Sequence, residues 1–202
     1  MSWTTGTQTE ALSSASANST AFTGTSAAAV ILPTGAAFLP ANFWLPSYSA
    51  PGKSLLVKAH GVLSTTTGTN ALTLAVTANT TQGSLTAANL TAGTAGILAT
   101  TGAVNQTASL TNVPWELEVV IANVTPGGSG TNTFLSDGIM KVYPTTSTLL
   151  ASRCSSSTAN PNTTVSIGSS GTQAAYYVEL GALWGAASNS LTVYSFIVLG
   201  LN

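Results

Sequence analysis

A two-residue period in the apolar positions constrains the fold of this chain more than any other feature. Large or apolar residues occupy every second position from 176 to 184, and the positions between them include Glu179 and Gly181. Side chains alternate faces along a strand, whereas on a helix they return to one face every three or four residues. No 3.6-residue apolar stripe occurs anywhere in the chain. The sequence therefore predicts an all-β protein.

The end of the chain predicts a closing hairpin, residues 174–201. A small, polar stretch at 186–190 separates the alternating strand from a β-branched and aromatic run at 191–199. Such a stretch between two strand patterns is typical of a hairpin loop. The second strand has apolar residues on both faces, which predicts a place in the middle of a sheet.

Two more regions alternate clearly. Residues 54–64 and 72–79 flank a turn at 66–70, and together they predict an antiparallel pair. Residues 114–123 predict a strand with Trp115 and other apolar residues inward and with Glu116 and Glu118 outward. We expect these carboxylates to be solvated or ion-paired with a lysine. Brief strands are predicted near 29–32, 139–143 and 165–167, short edge strands and loops at 80–112, and a connection at 145–164.

The 202 residues fit one domain. Frequent turn signals favour an antiparallel β-sandwich, of the jelly-roll type, at residues 29–202. Residues 1–28 are mostly Thr, Ser, Ala, Gly and Asn, which predicts an extended N-terminal arm. Two interpretations of the arm remain open: a frayed terminus, or a segment that becomes ordered across a neighbouring subunit. Trp3 and Phe22 are the residues we expect to anchor it.

Charged residues make up 4% of the chain, against about 25% in typical soluble domains. The net charge of −1 and the four scattered cations argue against nucleic-acid binding, which needs a clustered basic patch. No run reaches the length of a membrane span, and residues 1–5 do not resemble a secretory signal, so we expect synthesis in the cytoplasm and no membrane partner. Charged residues are depleted from interface cores, so their scarcity favours assembly with other subunits.

The sequence predicts no enzyme and no cofactor or metal. His60 is the only histidine and Cys154 the only cysteine, which is too few for a catalytic triad or a zinc site. Glu116 and Glu118 lie about 6.5 to 7 Å apart along one strand, close to the spacing of a glycosidase pair. Catalytic carboxylates usually come from different strands facing a cleft. A solvated or ion-paired face is therefore the favoured interpretation, and a glycan-processing enzyme is the third hypothesis.

The segment from 33 to 51 is rich in proline and aromatic residues, which rules out a regular helix or a central strand. Its aromatic side chains either cover one end of the core or form a surface that contacts a partner or a sugar. Trp44 and Tyr48 are the candidate contact residues.

The last 27 residues, together with the Thr/Ser/Ala/Gly-rich and charge-poor character of the chain, resemble small all-β virion proteins of tailed bacteriophages. The similarity is carried by Tyr176-Tyr-Val-Glu-Leu-Gly-Ala-Leu-Trp184 and by Ser188-Asn-Ser-Leu-Thr-Val-Tyr-Ser-Phe-Ile-Val-Leu-Gly-Leu-Asn202. The resemblance implies a capsid decoration, or cement, protein: a homotrimer on the outer surface of the virion head that links neighbouring major capsid proteins. Tyr194 and Phe196 are expected to line the trimer axis or the core. The alternative is a tail-associated or receptor-binding module that stacks Trp44 and Tyr48 on a host surface glycan.

Overall fold

A computed structural model describes most of the chain. The described residues are 9–15, 18–23, 29–30, 37–39, 54–68, 70–79, 81, 90, 96–125, 131–155, 162–166 and 176–201. They contain the strands β1 (Thr9–Ala15), β2 (Phe22–Thr23), β3 (Ala29–Val30), β4 (Ala37–Leu39), β5 (Ser54–Ser64), β6 (Ala71–Asn79), β7 (Ile97–Thr100), β8 (Val104–Asn105), β9 (Val113–Thr125), β10 (Thr131–Thr145), β11 (Thr148–Ser155), β12 (Asn162–Ser166), β13 (Tyr176–Trp184) and β14 (Ser190–Leu201). The predicted all-β class is confirmed.

The strands form one curled antiparallel sheet, a half-barrel, in the order β1-β14-β5-β9-β10-β11-β7-β6-β13-β3. The shorter strands β2, β4, β8 and β12 pair at its margins. Among the described residues, one pair, Ser155 with Thr100, joins β11 to β7. This narrow joint separates a first half, β1 to β11 in sheet order, from a second half, β7 to β3.

The concave sides of the two halves enclose one hydrophobic core. Its members come from β5, β9, β10 and β14 of the first half and from β6 and β13 of the second. Strand β9 confirms the predicted alternation, because Trp115, Leu117, Val119 and Ile121 are buried. Burying a large apolar side chain stabilises a fold by about 1.5–3 kcal/mol, so this shared core is the main force that curls the sheet.

The convex side of the second half is also buried. Strands β6 and β13 are almost fully buried on both faces. A second small core of Ala75, Leu90 and Ile97 lies on this side, with Leu183 packed against it. The chain therefore covers the outside of its second half itself, and even the side chain of Glu179 is fully buried there.

Both predicted hairpins are wrong in their pairing, although their strands exist. Strand β14 pairs with β5, β1 and β2, whereas β13 pairs with β6, β3 and β4. Strand β5 likewise pairs with β9 and β14, and β6 with β13, β7 and β8. The links 65–70 and 185–189 thus cross from one half to the other. Alternation specifies a strand and its inward face but not its neighbour, which explains the error.

The Asn189 side chain connects the two links, 65–70 and 185–189, that cross between the halves. Its side-chain Oδ1 accepts hydrogen bonds from the backbone N–H of Thr66 at 2.9 Å and from the Thr66 hydroxyl at 3.3 Å. Asn189 is fully buried. Nearby, the Thr65 N–H donates to the Leu110 carbonyl, and the Thr65 hydroxyl donates to the carbonyl of Thr107. Three loops at one end of the fold are therefore held by partly buried polar contacts.

Two other regions differ from expectation. Residues 9–15 and 22–23 of the predicted arm pair with β14 of the same chain. Strand β11 lies within 145–164, a region we predicted to be a connection. Its Ser, Thr and Ala content hid a strand that the pairing with β10 stabilises. Within the described ranges no helix is long and apolar enough to cross a bilayer.

Candidate interaction face

The convex side of the first half forms the open face, defined by the outward side chains of β14, β5, β9, β10 and β11. Strand register sets its pattern, because residues of one parity point outward along each strand. Lys58 on β5 lies opposite Glu118 on β9, and Glu118 lies opposite Ile139 on β10. Two residues along, His60 lies opposite Glu116.

Three ion pairs cross the open face between neighbouring strands. Lys58 Nζ lies 2.8 Å from Glu118 Oε2, Lys141 Nζ lies 2.7 Å from Glu116 Oε1, and Arg153 Nε lies 3.1 Å from Asp137 Oδ1. Of the two alternatives left open for Glu116 and Glu118, each carboxylate takes the ion pair with a lysine while remaining partly exposed. Three cations thus meet three carboxylates, so the face has no net charge when His60 is neutral.

Glu116 accepts more side-chain hydrogen bonds than the other carboxylates of the open face. Its Oε1 also accepts a 2.7 Å hydrogen bond from the Tyr143 hydroxyl. The Lys141 and Tyr143 hydrogen bonds hold the pKa of Glu116 below its usual value, and the same contacts raise the pKa of Lys141 and of Tyr143. A glycosidase acid needs a raised carboxyl pKa. The Glu116 environment works in the opposite direction.

Exposed large apolar side chains lie between and around these ion pairs. Each is at least 36% exposed, and they come from three adjacent strands. They are Val120, Val124, Leu135, Ile139, Tyr143 and Leu149. Monomeric proteins rarely expose contiguous apolar patches beyond a few hundred Å², and larger ones mark interaction sites. We predicted no function for these positions from the sequence. The spacing of Leu149 and Arg153, which lie on one face of β11, could have indicated an outward strand face.

The residues singled out from the sequence do not converge on one site. Phe22 is half-buried and packs against the main core from β2. Phe196 is fully buried in that core, whereas Tyr194 is 37% exposed beside a bulge in β14. Trp3, Trp44 and Tyr48 lie outside the described residues.

No protein-family model and no curated protein matches this chain. The assignment of function therefore depends on the geometry of the fold and on the open face.

The part of the chain that the structure describes has few groups suited to metal binding or nucleophilic catalysis. No group of three or more His, Cys, Asp or Glu side chains there is arranged to hold a metal. Cys154 is fully buried, and burial together with the nearby charge of Asp137 raises the pKa of its thiol to about 12. A thiol in this state is a poor nucleophile at neutral pH. The open face combines exposed apolar side chains with three ion pairs between neighbouring strands.

Proposed function

We propose that this chain is a structural virion protein, a capsid decoration or cement protein. It binds the outer face of a phage head as a homotrimer and stabilises contacts between major capsid proteins. The open face is the observation that carries the proposal. One convex side of the sheet is covered by the chain itself, while the other presents apolar side chains among neutralised charges. Such a surface is suited to burial against protein.

The proposal includes the arrangement of the sheet as a β-sandwich. The two halves of the curled sheet act as the layers of a jelly-roll β-sandwich, and residues 9–15 and 22–23 of the N-terminal segment pair along its β14 edge. Support comes from the crossings between halves at 65–70 and 185–189, and from the single core that both halves enclose. A rigid scaffold of this kind keeps several weak contact surfaces in fixed positions.

Several modest contacts can give tight attachment to a shell. In a trimer, three copies of the proposed contact residues meet neighbouring capsomers, so binding at one contact raises the effective concentration at the others. Trp3, Phe22, Trp44 and Tyr48 are the proposed capsid contacts. Tyr194, exposed beside the β14 bulge, is the proposed residue near the trimer axis, and Phe196 serves the core.

Purified protein added to undecorated, expanded phage heads tests the proposal. We expect saturable binding and a higher temperature of head disruption. Trp3→Ala and Trp44→Ala should weaken binding without changing the melting temperature of the isolated protein, while Thr20→Ala, an exposed change in the loop before β2, is the matched control. Binding to host cell envelopes and not to heads would replace this function with the receptor-binding alternative.

A further inference from the structure

The outward residues of β5 and β9 form complementary pairs over the middle of the two strands, beyond a first row that joins Ser54 to Ala122. Leu56 lies opposite Val120, Lys58 opposite Glu118, and His60 opposite Glu116. Each of these three middle rows therefore joins an apolar residue to an apolar residue, or a basic residue to an acidic one.

We propose that the open face binds a second copy of this chain, face to face. The two copies are related by a two-fold axis that runs parallel to the strands, midway between β5 and β9. Rotation by 180° about this axis places β9 of the copy over β5, and β5 of the copy over β9. Every outward residue then faces the copy of its own cross-strand neighbour.

The charges match in this arrangement. Lys58 faces the partner's Glu118, and Glu118 faces the partner's Lys58, so two ion pairs form between chains for each axis. His60 faces the partner's Glu116. The intrachain pair is half exposed, with 46% of the Lys58 side chain and 56% of the Glu118 side chain accessible. Both groups thus retain accessible surface to meet a second partner.

The apolar residues match as well. Leu56 faces the partner's Val120 beside the charged rows. One strand further out, β14 lies over β10 of the copy. Because Ile197 is opposite Lys58 and Ile139 is opposite Glu118, Ile197 faces the partner's Ile139. Apolar side chains therefore flank the central ion pairs on both sides, as in the packed core of an isologous interface.

The area of the face fits a stable interface between copies. The two-fold axis superposes four strands of each face, β14, β5, β9 and β10. Four strands at about 4.8 Å spacing and about ten residues at about 3.3 Å each cover roughly 600 Å² per copy. A standard interface buries about 800 Å² per partner. Polyanions are poor occupants, because each cation on the face already has a carboxylate within 3.1 Å.

This inference deepens the proposed function, since it rests on the idea that the chain works by burying its open face against protein. The two can fail separately. Self-association is measured on the isolated protein, whereas the decoration function is measured by binding to heads. If the chain also trimerises through other surfaces, the two-fold contact joins two such trimers.

Sedimentation velocity over a concentration series tests the two-fold contact. Lys58→Glu places glutamates opposite glutamates at two positions per axis, so we expect at least about tenfold weaker association and a particle of half the wild-type mass. Arg153→Glu is the matched control. It also reverses one charge and breaks one exposed intrachain pair, but it lies on β11 at the margin of the overlap, so the wild-type mass should persist.

The double variant Lys58→Glu with Glu118→Lys makes the test decisive. It restores both the intrachain and the interchain pairs with reversed sign, so it should associate with itself as well as wild type does. It should not co-associate with wild type, because like charges then meet at each position. Equal mass for wild type and Lys58→Glu, dissociation by Arg153→Glu, or free mixing of wild type with the double variant would overturn the proposal.

Discussion

At the scale of the residue, two glycines on β5 and β10 permit close approach between strands. A Cβ at Gly61 would lie 1.8 Å from the carbonyl oxygen of Thr192, and one at Gly138 would lie 2.3 Å from that of Glu118. These atoms belong to backbone in neighbouring strands and cannot rotate away. The two positions therefore require glycine for reasons of space.

Gly61→Ala and Gly138→Ala should each lower the free energy of unfolding by about 3 kcal/mol, because the added methyl group forces paired strands apart. Urea denaturation followed by circular dichroism measures the change. Gly68→Ala is the control, since its Cβ would contact nothing within 4 Å. Equal stability of all three variants would mean that these strands are not packed as closely as described.

The buried Cys154 thiol should be unreactive toward a thiol reagent in the native protein and fully reactive in denaturant. Its pKa is about 12 in the folded protein, against about 9 for an unfolded thiol. Between these two values the folded protein keeps the proton and the unfolded chain loses it. Native stability should therefore fall as pH rises from about 9 to 12, and Cys154→Ala should reduce that slope. Rapid labelling of native protein at pH 8 would contradict the burial of this side chain.

At the scale of the element, the buried side chain of Asn189 organises the two crossings. Replacing it with leucine removes the acceptor for the partly buried Thr66 N–H and for the Thr66 hydroxyl, which should cost about 1 kcal/mol. Thermal unfolding measures the loss. Ser147→Ala, which removes an exposed side-chain contact with Thr145, should change stability by less than about 0.5 kcal/mol. If the two variants behave alike, the crossings are not held by Asn189.

Strands were readable from the sequence where burial was one-sided or complete, as in β5, β9 and β13. Partner strands were not, because alternation is the same whichever neighbour a strand takes. The crossings depend on contacts such as Asn189 with Thr66, which are 123 positions apart. Glu116 and Glu118 were correctly placed outward with lysine partners, whereas the open face as a unit was missed because β11 was not recognised.

At the scale of the whole molecule, the few charges are concentrated. Of the charged side chains that the structure describes, Glu179 is buried and the rest lie on the open face as ion pairs. The remaining described surface is therefore polar but uncharged. A chain with this distribution gains most from burying the face where its charges already neutralise one another.

That account predicts weak salt dependence of assembly. The ion pairs are present within each copy before association, so raising NaCl from 0.05 to about 0.5 M should weaken self-association only a few-fold, unlike a contact between oppositely charged surfaces. Sedimentation at several salt concentrations measures it. A loss of association by several orders of magnitude would show that net charge, and not apolar burial, drives assembly.

The central claim, that this chain works as a structural component on the outside of a phage head, is tested most directly by electron cryo-microscopy of virions assembled with a tagged copy of the chain and stained for the tag. We expect label at repeated positions over the whole head surface and none on the tail. Label confined to the tail tip, or virions that carry none while the protein stays a free monomer, would contradict the claim.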